Sequence, residues 1–319
     1  MQQLIDSLRS IGEPTRLRVL ALLAHGELAV GELVQILRLS QPRLSRHMKF
    51  LTAAGLVERL PEGAWVFYRL PSSGTGRALV DSVLSFVSPD DPEVVRDREN
   101  LNHVRAARKT AAEDYFNRTA ESWDDVRGHH YPADDVESAL LKAAGQKSYN
   151  YMVDFGTGTG RMISLFKDRF ERAEGIDLSH KMLTIARSNL QTDDVPGASV
   201  RFGDVIASPF DDGIADLVTI HQVLHYMDQP GRVVTEAARV LKPGGRLMIV
   251  DFAPHRNEFL RNEHEHRHLG FEARELENWL VASGLKPYQP ITLESQHQSG
   301  LAVTIWTADK LPKIGENAA

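Results

Sequence analysis

The stretch VDFGTGTGR, residues 153–161, decides how the larger part of this chain folds. Its first residues suit a buried strand, and its three alternating glycines allow a sharp backbone turn and close approach to a ligand. A dinucleotide loop of the pattern G-x-G-x-x-G requires glycine where this chain has Arg161. Asp154 precedes the loop, where a carboxylate is unfavourable for a pyrophosphate but suits the ammonium of an amino-acid moiety. The stretch therefore favours a ligand with an amino-acid part over a nicotinamide dinucleotide.

Apolar runs on both sides of this loop predict a parallel sheet. The runs are YMVDF, AEGIDL, SVRFGD, DLVTIHQ and RLMIVDF. We expect a helical stretch after each of the first four runs. Strands that alternate with helices imply a parallel sheet covered on both faces, with its ligand at the carboxyl ends of the strands.

Side chains at these predicted strand ends are candidate ligand contacts. Asp177 lies about 20 residues after the glycine loop, where a carboxylate can accept hydrogen bonds from two ribose hydroxyls. Leu178 and Met182 can line an adenine face, and Asp204 can accept a hydrogen bond from the adenine amino group. The run DLVTIHQ brings His221 to the same edge.

Taken together, these spaced elements resemble a class I S-adenosylmethionine-dependent methyltransferase of the ubiquinone/menaquinone-biosynthesis type. The resemblance covers about residues 112–310 and includes DYFNRTAESWDDVR, which is similar to the helical lid of that type. It implies a Rossmann-like α/β domain whose seven-stranded, mostly parallel sheet has the order 3-2-1-4-5-7-6. Its last two strands are expected near residues 288–295 and 301–308.

The same resemblance implies S-adenosylmethionine or S-adenosylhomocysteine as the cofactor. By position, the methionine part contacts Gly156 and Gly158, the ribose contacts Asp177, and the adenine contacts Asp204 and Val205. The expected cofactor-binding residues are Asp154, Gly156, Gly158, Gly160, Asp177, Leu178, Met182, Asp204, Val205 and His221.

Methyl transfer to a small molecule requires a general base only if the acceptor must lose a proton. His221, His225 and Tyr226 are the candidates, and the alternative is that they only line the ligand pocket. Further side chains that could line the mouth of the pocket are His129, His130, Tyr131 and His255.

A second group of histidines has metal-ligand spacing. HEHRH, residues 264–268, places His264 and His268 one helical turn apart, with Glu265 nearby. The surrounding stretch is charged and has few apolar residues, which favours a solvated helix or lid. We therefore predict no metal site.

The N-terminal residues predict helices followed by a β-hairpin. PTRLRVLALLAHG and ELAVGELVQILRL suit two helices, SQPRLSRHMKFLTAAGL a third, and VERL and WVFYRL two strands with Gly63 in the turn. In the third helix Leu44, Met48 and Leu51 form an apolar stripe, and His47 lies near it as a packing residue. Polar and basic residues on the other face and on the hairpin suit DNA. These predicted contacts are Gln41, Arg43, Ser45, Arg46, Lys49 and Arg59.

This order of elements, and the run from Gln41 to Leu70, resemble the ArsR/SmtB family of winged-helix repressors over about residues 1–87. The resemblance implies a homodimer, held by the first helix and the helix at 75–87, on a pseudo-palindromic double-stranded operator. Ala29 and Gly31 stand where arsenic and cadmium sensors have thiolates, and RALVDSVLSFV lacks the ligand set of the zinc sensors. The family's metal sensing therefore does not carry over to this chain, and we expect its effector to bind outside the family's metal positions.

Composition agrees with a two-domain globular protein of 319 residues without cysteine. Residues 1–86 contain ten Lys and Arg against seven Asp and Glu, a net charge of +3, which leaves −9 for the remainder. We see no long apolar run and no signal-peptide pattern in MQQLIDSLRS, and so expect a cytoplasmic protein that does not span a membrane.

The break SPDDPE, residues 88–93, separates the halves. We expect a DNA-binding and dimerisation domain over 1–87, a linker helix over 88–111, a methyltransferase-like domain over 112–310 and a tail over 311–319.

Two functions fit these features. In the first, the chain is a transcriptional regulator whose methyltransferase-like domain binds S-adenosylmethionine or S-adenosylhomocysteine as its effector. It resembles fused, S-adenosylhomocysteine-responsive regulators of the S-adenosylmethionine cycle, and that resemblance implies a repressor of S-adenosylmethionine and methionine-cycle genes. In the second, that domain is an active methyltransferase acting on a small-molecule acceptor, with DNA binding as regulation.

Overall fold

The computed structural model describes residues 1–62, 65–71, 74–107, 110, 133–258, 260–261, 266–294 and 301–312. The chain divides into two compact units, Met1–Ala111 and Ala112–Ala319. Each unit has its own hydrophobic core.

In its described residues the first unit has six helices and a three-stranded antiparallel sheet. The helices are α1 (Gln2–Ile11), α2 (Pro14–Leu23), α3 (Val30–Leu37), α4 (Gln41–Ala53), α5 (Gly74–Leu84) and α6 (residues 92–107). The strands are β1 (Leu28–Ala29), β2 (Glu58–Glu62) and β3 (Trp65–Arg69), in the order β1-β3-β2.

Strand β1 corrects our expectation that the whole of ELAVGELVQILRL is helical. Leu28 pairs with Tyr68 and Ala29 pairs with Phe67, so this short segment completes the sheet before α3 begins. Both residues are buried by that pairing. A two-residue strand is too short to show a period of two, and its pairing depends on β3, far along the chain.

Local sequence explains the ends of these helices. Pro14 opens α2, and the Glu13 carboxylate accepts a hydrogen bond from the Arg16 backbone N–H at 2.9 Å. Gly55 follows α4 with φ +67°, a conformation that favours glycine. Gly76 of α5 lies against this turn, where an added Cβ would be 2.2 Å from the Gly55 carbonyl oxygen. Two glycines thus set how closely α5 approaches the end of α4.

The second unit has an eight-stranded sheet in its described residues. Its strands are β4 (Tyr149–Phe155), β5 (Phe170–Asp177), β6 (Ala198–Phe202), β7 (Ala215–His221), β8 (Leu241–Phe252), β9 (Leu285–Pro287), β10 (Ile291–Leu293) and β11 (Val303–Lys310). Its helices are α7 (Ala133–Ala144), α8 (Arg161–Leu165), α9 (His180–Thr192), α10 (Pro230–Val240) and α11 (Ala273–Ala282).

The sheet has the order β10-β11-β8-β7-β4-β5-β6, with β9 also paired to β11. Strands β4 to β8 are parallel, and β11 is antiparallel to β8. We read this order from β6 towards β10 and number β4 as the first strand, β9 and β10 together as the sixth and β11 as the seventh. The result is the expected order 3-2-1-4-5-7-6, and the Rossmann-like fold class is confirmed. The expected seventh strand is observed, whereas the expected sixth is split into β9 and β10, both antiparallel to β11.

Apolar layers cover both faces of this sheet. One layer contains Val153 and Phe155 of β4 with the buried sides of α10 and α11, and the other contains Met152 with α7, α8 and α9. Successive side chains of β4 thus enter opposite layers, as the side chains of a strand between two apolar layers must.

One expected helix is missing. Residues 203–214, which follow β6, form turns and bends without a helix. This segment, GDVIASPFDDGI, has glycine near each end and an internal proline, and it is too short for a helical crossover. The carboxyl end of β6 is therefore continued by a loop.

Candidate functional site

The glycine loop connects β4 to α8 in a conformation that needs its glycines. The φ angles of Gly156, Gly158 and Gly160 are +68°, +52° and +81°. An added Cβ at Gly156 would lie 2.4 Å from Val223 Cγ2 in the segment after β7. At Gly158 an added Cβ would meet, among the described residues, only the Gly156 carbonyl oxygen, at 4.0 Å, so these residues leave this part of the loop open. The loop thus packs on the β7 side and leaves its middle accessible to a ligand.

Asp154 lies buried directly before this loop. It is 1% exposed, and its Oδ1 accepts a hydrogen bond from the Thr219 hydroxyl at 2.6 Å. Its Oδ2 has no hydrogen bond of normal geometry from any described residue, although Thr157 and Asp177 lie close enough to act on it electrostatically. Burial raises the pKa of Asp154 to about 6, and the Thr219 hydrogen bond opposes that rise. A buried carboxylate of this kind suits a cationic ligand group, such as the ammonium that the sequence analysis expects at Asp154.

Asp177 joins the glycine loop to the start of α9. Its Oδ2 accepts a hydrogen bond from Gly158 N at 2.9 Å, and its Oδ1 accepts one from Ser179 N at 2.8 Å. Burial raises the pKa of Asp177, while the backbone hydrogen bonds from Ser179 and Gly158 lower it. Each oxygen keeps a lone pair, so this carboxylate can still accept hydrogen bonds from a pair of hydroxyls.

The predicted adenine contacts surround the neighbouring strand ends. Leu178 is exposed and Met182 is half-buried, and both follow Asp177. Asp204 is exposed after β6, and its Oδ1 accepts a hydrogen bond from Ile206 N at 2.9 Å. The Val205 side chain is buried in the apolar layer that also contains Phe210. The ligand contacts of these four residues stay predictions.

The three catalytic candidates differ in their surroundings. His221 ends β7 and is half-buried, and Val223 of the next turn packs on Gly156. His225 is 1% exposed, whereas Tyr226 is 42% exposed, with its ring centroid 4.0 Å from that of His225. Tyr226 is therefore the candidate with the largest accessible surface, and His225 lies beneath it.

Asp251 at the end of β8 is a residue that our sequence reasoning missed. Its Oδ1 lies 2.7 Å from His225 Nδ1, and its Oδ2 accepts a hydrogen bond from Leu224 N at 2.9 Å. Asp251 is fully buried. An aspartate at the end of an apolar strand, in RLMIVDF, was the available signal. Its partner could not be inferred, because His225 lies on a different strand connection.

The segment 266–268 packs on the turn that carries His225. The backbone N–H groups of Arg267 and His268 donate to the His225 carbonyl oxygen at 2.9 and 3.1 Å, and His268 Nε2 lies 3.0 Å from the Met227 carbonyl oxygen. The buried His266 ring is 4.2 Å from the His225 ring, measured between centroids. The rings of His225 and His266 therefore lie side by side, next to the ring of Tyr226.

Several predicted residues lie outside the described residues. They are the lid stretch at 114–127, the turn residue Gly63, and His129, His130, Tyr131, His264 and Glu265. His255, the remaining predicted mouth residue, is half-buried, with its ring centroid 5.8 Å from that of Phe252. Within the described ranges, no three His, Asp or Glu side chains are grouped as a metal site would require.

In the first unit, α4 separates its apolar and polar residues as the sequence predicts. Leu44, Met48 and Leu51 are buried in the core. The exposed residues are Gln41, Arg43, Ser45, Arg46 and Lys49, together with Arg59 on β2. His47 is largely buried, and its Nδ1 is 3.3 Å from a carboxylate oxygen of Glu13.

The cations on this surface have no acidic partner in the part of the chain that the structure describes. Arg43, Arg46, Lys49 and Arg59 form no ion pair there, whereas other arginines of the unit do. Because its charges are not neutralised internally, this face of α4 is available to phosphate groups and base edges.

No described helix combines the length and the apolar character needed to cross a membrane.

Comparisons with known proteins agree with both units. Residues 13–59 match the family described as bacterial regulatory protein, arsR family, and residues 153–249 match the family described as methyltransferase domain. The demethylmenaquinone methyltransferase of Thermus thermophilus is 37% identical over 123 residues, which are 37% of this chain and 52% of that protein. The uncharacterized methyltransferase YcgJ of Bacillus subtilis is 27% identical over 140 residues, which are 44% of this chain and 54% of YcgJ. The chain thus spans about half the length of these curated relatives.

Solved structures share the fold of the second unit. The cyclase SpnF has a TM-score of 0.52 at 18% identity, covering 62% of this chain and 94% of SpnF. Another structure is the methyltransferase chain of a complex with the Haloferax volcanii Trm112 methyltransferase activator. It has a TM-score of 0.50 at 18% identity, and the match covers 64% of this chain and 97% of that chain. The chain therefore contains an arsR-family region at residues 13–59 and a methyltransferase domain in its second unit.

Proposed function

We propose that this chain is a DNA-binding transcriptional regulator whose methyltransferase domain binds S-adenosylmethionine or S-adenosylhomocysteine as its effector. The observation that carries the proposal is the combination, in one chain, of an unneutralised basic face on α4 and a carboxylate-flanked glycine loop. The regulated genes would be those of the S-adenosylmethionine and methionine cycle, with the protein acting as a repressor.

The residues at the glycine loop fit the proposed ligand. Asp154 offers a buried carboxylate oxygen to the ammonium, and Asp177 offers two oxygens to the ribose hydroxyls. The open middle of the loop at Gly158 allows the backbone to approach the methionine part. S-adenosylmethionine, when bound, supplies a transferable methyl group, and S-adenosylhomocysteine is the form without it.

The basic face of α4 fits double-stranded DNA. Arg46 and Lys49 can contact phosphates, and Gln41 and Arg43 at the amino end of the helix can reach base edges. The proposal includes a homodimer through α1 and α5. Leu4 and Leu8 on α1 and Phe86 after α5 are exposed, which supports this choice of surface.

DNA fragment selection tests the regulatory proposal. Full-length protein is mixed with sheared DNA from its own genome, and the retained fragments are sequenced with and without each ligand. We expect enrichment of regions upstream of S-adenosylmethionine-cycle genes and a change in that enrichment when ligand is added. Retention of fragments without preference for any region would reject the regulatory role.

An active methyltransferase is the second candidate function, and the His225–Asp251 pair favours it. When Asp251 accepts the Nδ1 proton of a neutral His225, the Nε2 lone pair is left to accept a proton. Tyr226, exposed above this pair, would contact the acceptor. Transfer of a labelled methyl group to a small-molecule extract tests this function. We expect His225→Gln to reduce the transfer rate while cofactor affinity is kept, and an unchanged rate would remove His225 from the reaction.

A further inference from the structure

Helix α6 lies at the end of the first unit and packs one of its faces on that unit. Residues three and four positions apart share one side of a helix. The side chains of α6 that contact the rest of the unit follow this spacing, and they are Asp97, Asn100, Leu101, Val104 and Arg105. The chain then continues from α6 to the second unit. The covalent path from the ligand-binding unit to the DNA-binding unit therefore arrives at this helix.

Two polar side chains of this face bind the carboxyl ends of other helices. Arg105 Nη2 donates to the His25 carbonyl oxygen, just after α2, at 2.7 Å. The half-buried Asn100 donates from Nδ2 to the Ile36 carbonyl oxygen, in the last turn of α3, at 3.0 Å. The last four carbonyl groups of a helix have no hydrogen-bond donor within that helix. Asn100 thus supplies a donor to Ile36 that α3 itself cannot supply.

The contact at Ile36 lies beside the turn that sets the direction of α4. Residues 38–40 connect α3 with α4. Arg38 has φ +54°, a left-handed conformation that is costly for a residue other than glycine and persists only where its surroundings hold it. The backbone N–H groups of Arg38 and Leu39 both donate to the Val34 carbonyl oxygen. Because the turn has only three residues, a change in the last turn of α3 alters how α4 is presented to DNA.

We propose that Asn100 is the positioning residue through which the second unit controls the DNA affinity of α4. In one state Asn100 is bonded to the Ile36 carbonyl, as in this structure, and in the other state α6 is shifted and the bond is broken. The ligand favours one state over the other, and the two states differ in DNA affinity. The inference rests on the proposed regulatory function, and it names the contact through which the ligand acts on DNA binding.

Fluorescence anisotropy of the full-length protein with DNA tests this assignment. A fragment retained in the DNA selection is the probe, and S-adenosylmethionine and S-adenosylhomocysteine are added separately at saturation. The quantity of interest is the ratio of the DNA dissociation constants with and without ligand. We expect at least one form to change the wild-type value by about fivefold or more. Asn100→Ala cannot form the bond in either condition, so its value should change by less than about twofold.

Asn102→Ala is the matched control, because it makes the same substitution at an exposed position of the same helix. Its ratio should equal that of the wild type. Calorimetry confirms that each variant still binds the ligand, and circular dichroism with thermal melting establishes that each is folded. If Asn100→Ala does not fold, Asn100→Leu takes its place, since leucine is of similar size but has no hydrogen-bond donor. The same loss of the ligand effect is expected.

Two results would overturn the inference. One is a wild-type ratio in a folded Asn100→Ala or Asn100→Leu variant, including DNA binding that is weakened equally with and without ligand, because that result assigns Asn100 a purely structural role. The other is a loss of the ligand effect in Asn102→Ala as large as that in Asn100→Ala. If neither ligand form changes the DNA affinity of the wild-type protein, the proposed regulatory function fails instead, so the two failures are distinguishable.

Discussion

Asp154 shows how burial can prepare a single residue for a cationic ligand. Its pKa is raised to about 6, because the carboxylate is enclosed by the sheet. Above pH 6 the group is ionised and attracts an ammonium, whereas below pH 6 protons compete with the ligand. We therefore expect the affinity for S-adenosylhomocysteine to be constant between pH 7 and 8 and to fall below pH 6, by up to about tenfold per pH unit.

Calorimetric titration across this pH range measures the effect. Asp154→Asn is the control, because an amide cannot titrate there, and its weaker affinity should be nearly independent of pH. A wild-type affinity that stays constant down to pH 5 would contradict the role given to Asp154.

Several individual site residues could be predicted from the sequence, and others could not. Asp154, the three loop glycines and Asp177 lie within or just after apolar strands, so their places follow from the strand pattern, and the structure brings them together. Asp251 was not predicted, because its role depends on contact with His225, which lies in the turn after β7 and far from Asp251 along the chain. A sequence pattern gives positions along the chain, whereas this pair is created by the parallel arrangement of β7 and β8.

Helix α4 is the element on which DNA recognition depends in this account. Arg46→Ala removes from its exposed face a cation that forms no ion pair with any described acidic residue. We expect weaker operator binding, with the slope of log affinity against log salt reduced by about one, and no change in ligand affinity. Fluorescence anisotropy with operator DNA at several salt concentrations provides the measurement.

Arg274→Ala is a charge-matched control, because Arg274 is exposed on α11 of the second unit. If the two variants lost the same affinity, net charge alone would explain the effect, and α4 would not be the reading helix.

Helix α6 is joined to the first unit by a buried ion pair. Asp97 is 4% exposed and accepts hydrogen bonds from Arg18 Nε and Nη2 at 2.7 and 2.6 Å, and Leu101 and Val104 are buried in the core of the unit. Removing one partner of a buried pair leaves the other charge uncompensated. We expect Asp97→Ala to lower the free energy of unfolding of the first unit by about 3 kcal/mol.

Urea denaturation followed by circular dichroism measures this change. Asp81→Ala breaks the exposed Arg77–Asp81 pair of α5 and should cost less than about 1 kcal/mol. Equal effects of the two substitutions would show that α6 is not held by the buried pair.

At the scale of elements, long periodic segments were predictable and short or irregular ones were not. The stripe of Leu44, Met48 and Leu51 identifies the buried face of α4 directly. Strand β1 and the split edge strands β9 and β10 are two or three residues long, so their existence depends on pairing with β3 and β11. The missing helix after β6 reflects the proline and the short length of that connection.

The whole molecule combines a DNA-binding unit with a ligand-binding unit, and the structure groups α6 with the first. Regulation requires that a ligand change the free energy of DNA binding. By thermodynamic linkage, DNA must then change the affinity for that ligand by the same factor. This reciprocity distinguishes a sensor from an enzyme that only happens to be fused to a DNA-binding domain.

The most direct test of this account is the DNA affinity of the full-length protein, measured without ligand and at saturation with each ligand form. The DNA fragments come from upstream of its own gene and of S-adenosylmethionine-cycle genes. The account predicts that at least one form shifts the DNA dissociation constant by about fivefold or more, and that Asp177→Ala still binds DNA but shows no shift. The same DNA affinity in all three conditions, with ligand binding confirmed by calorimetry, would contradict it.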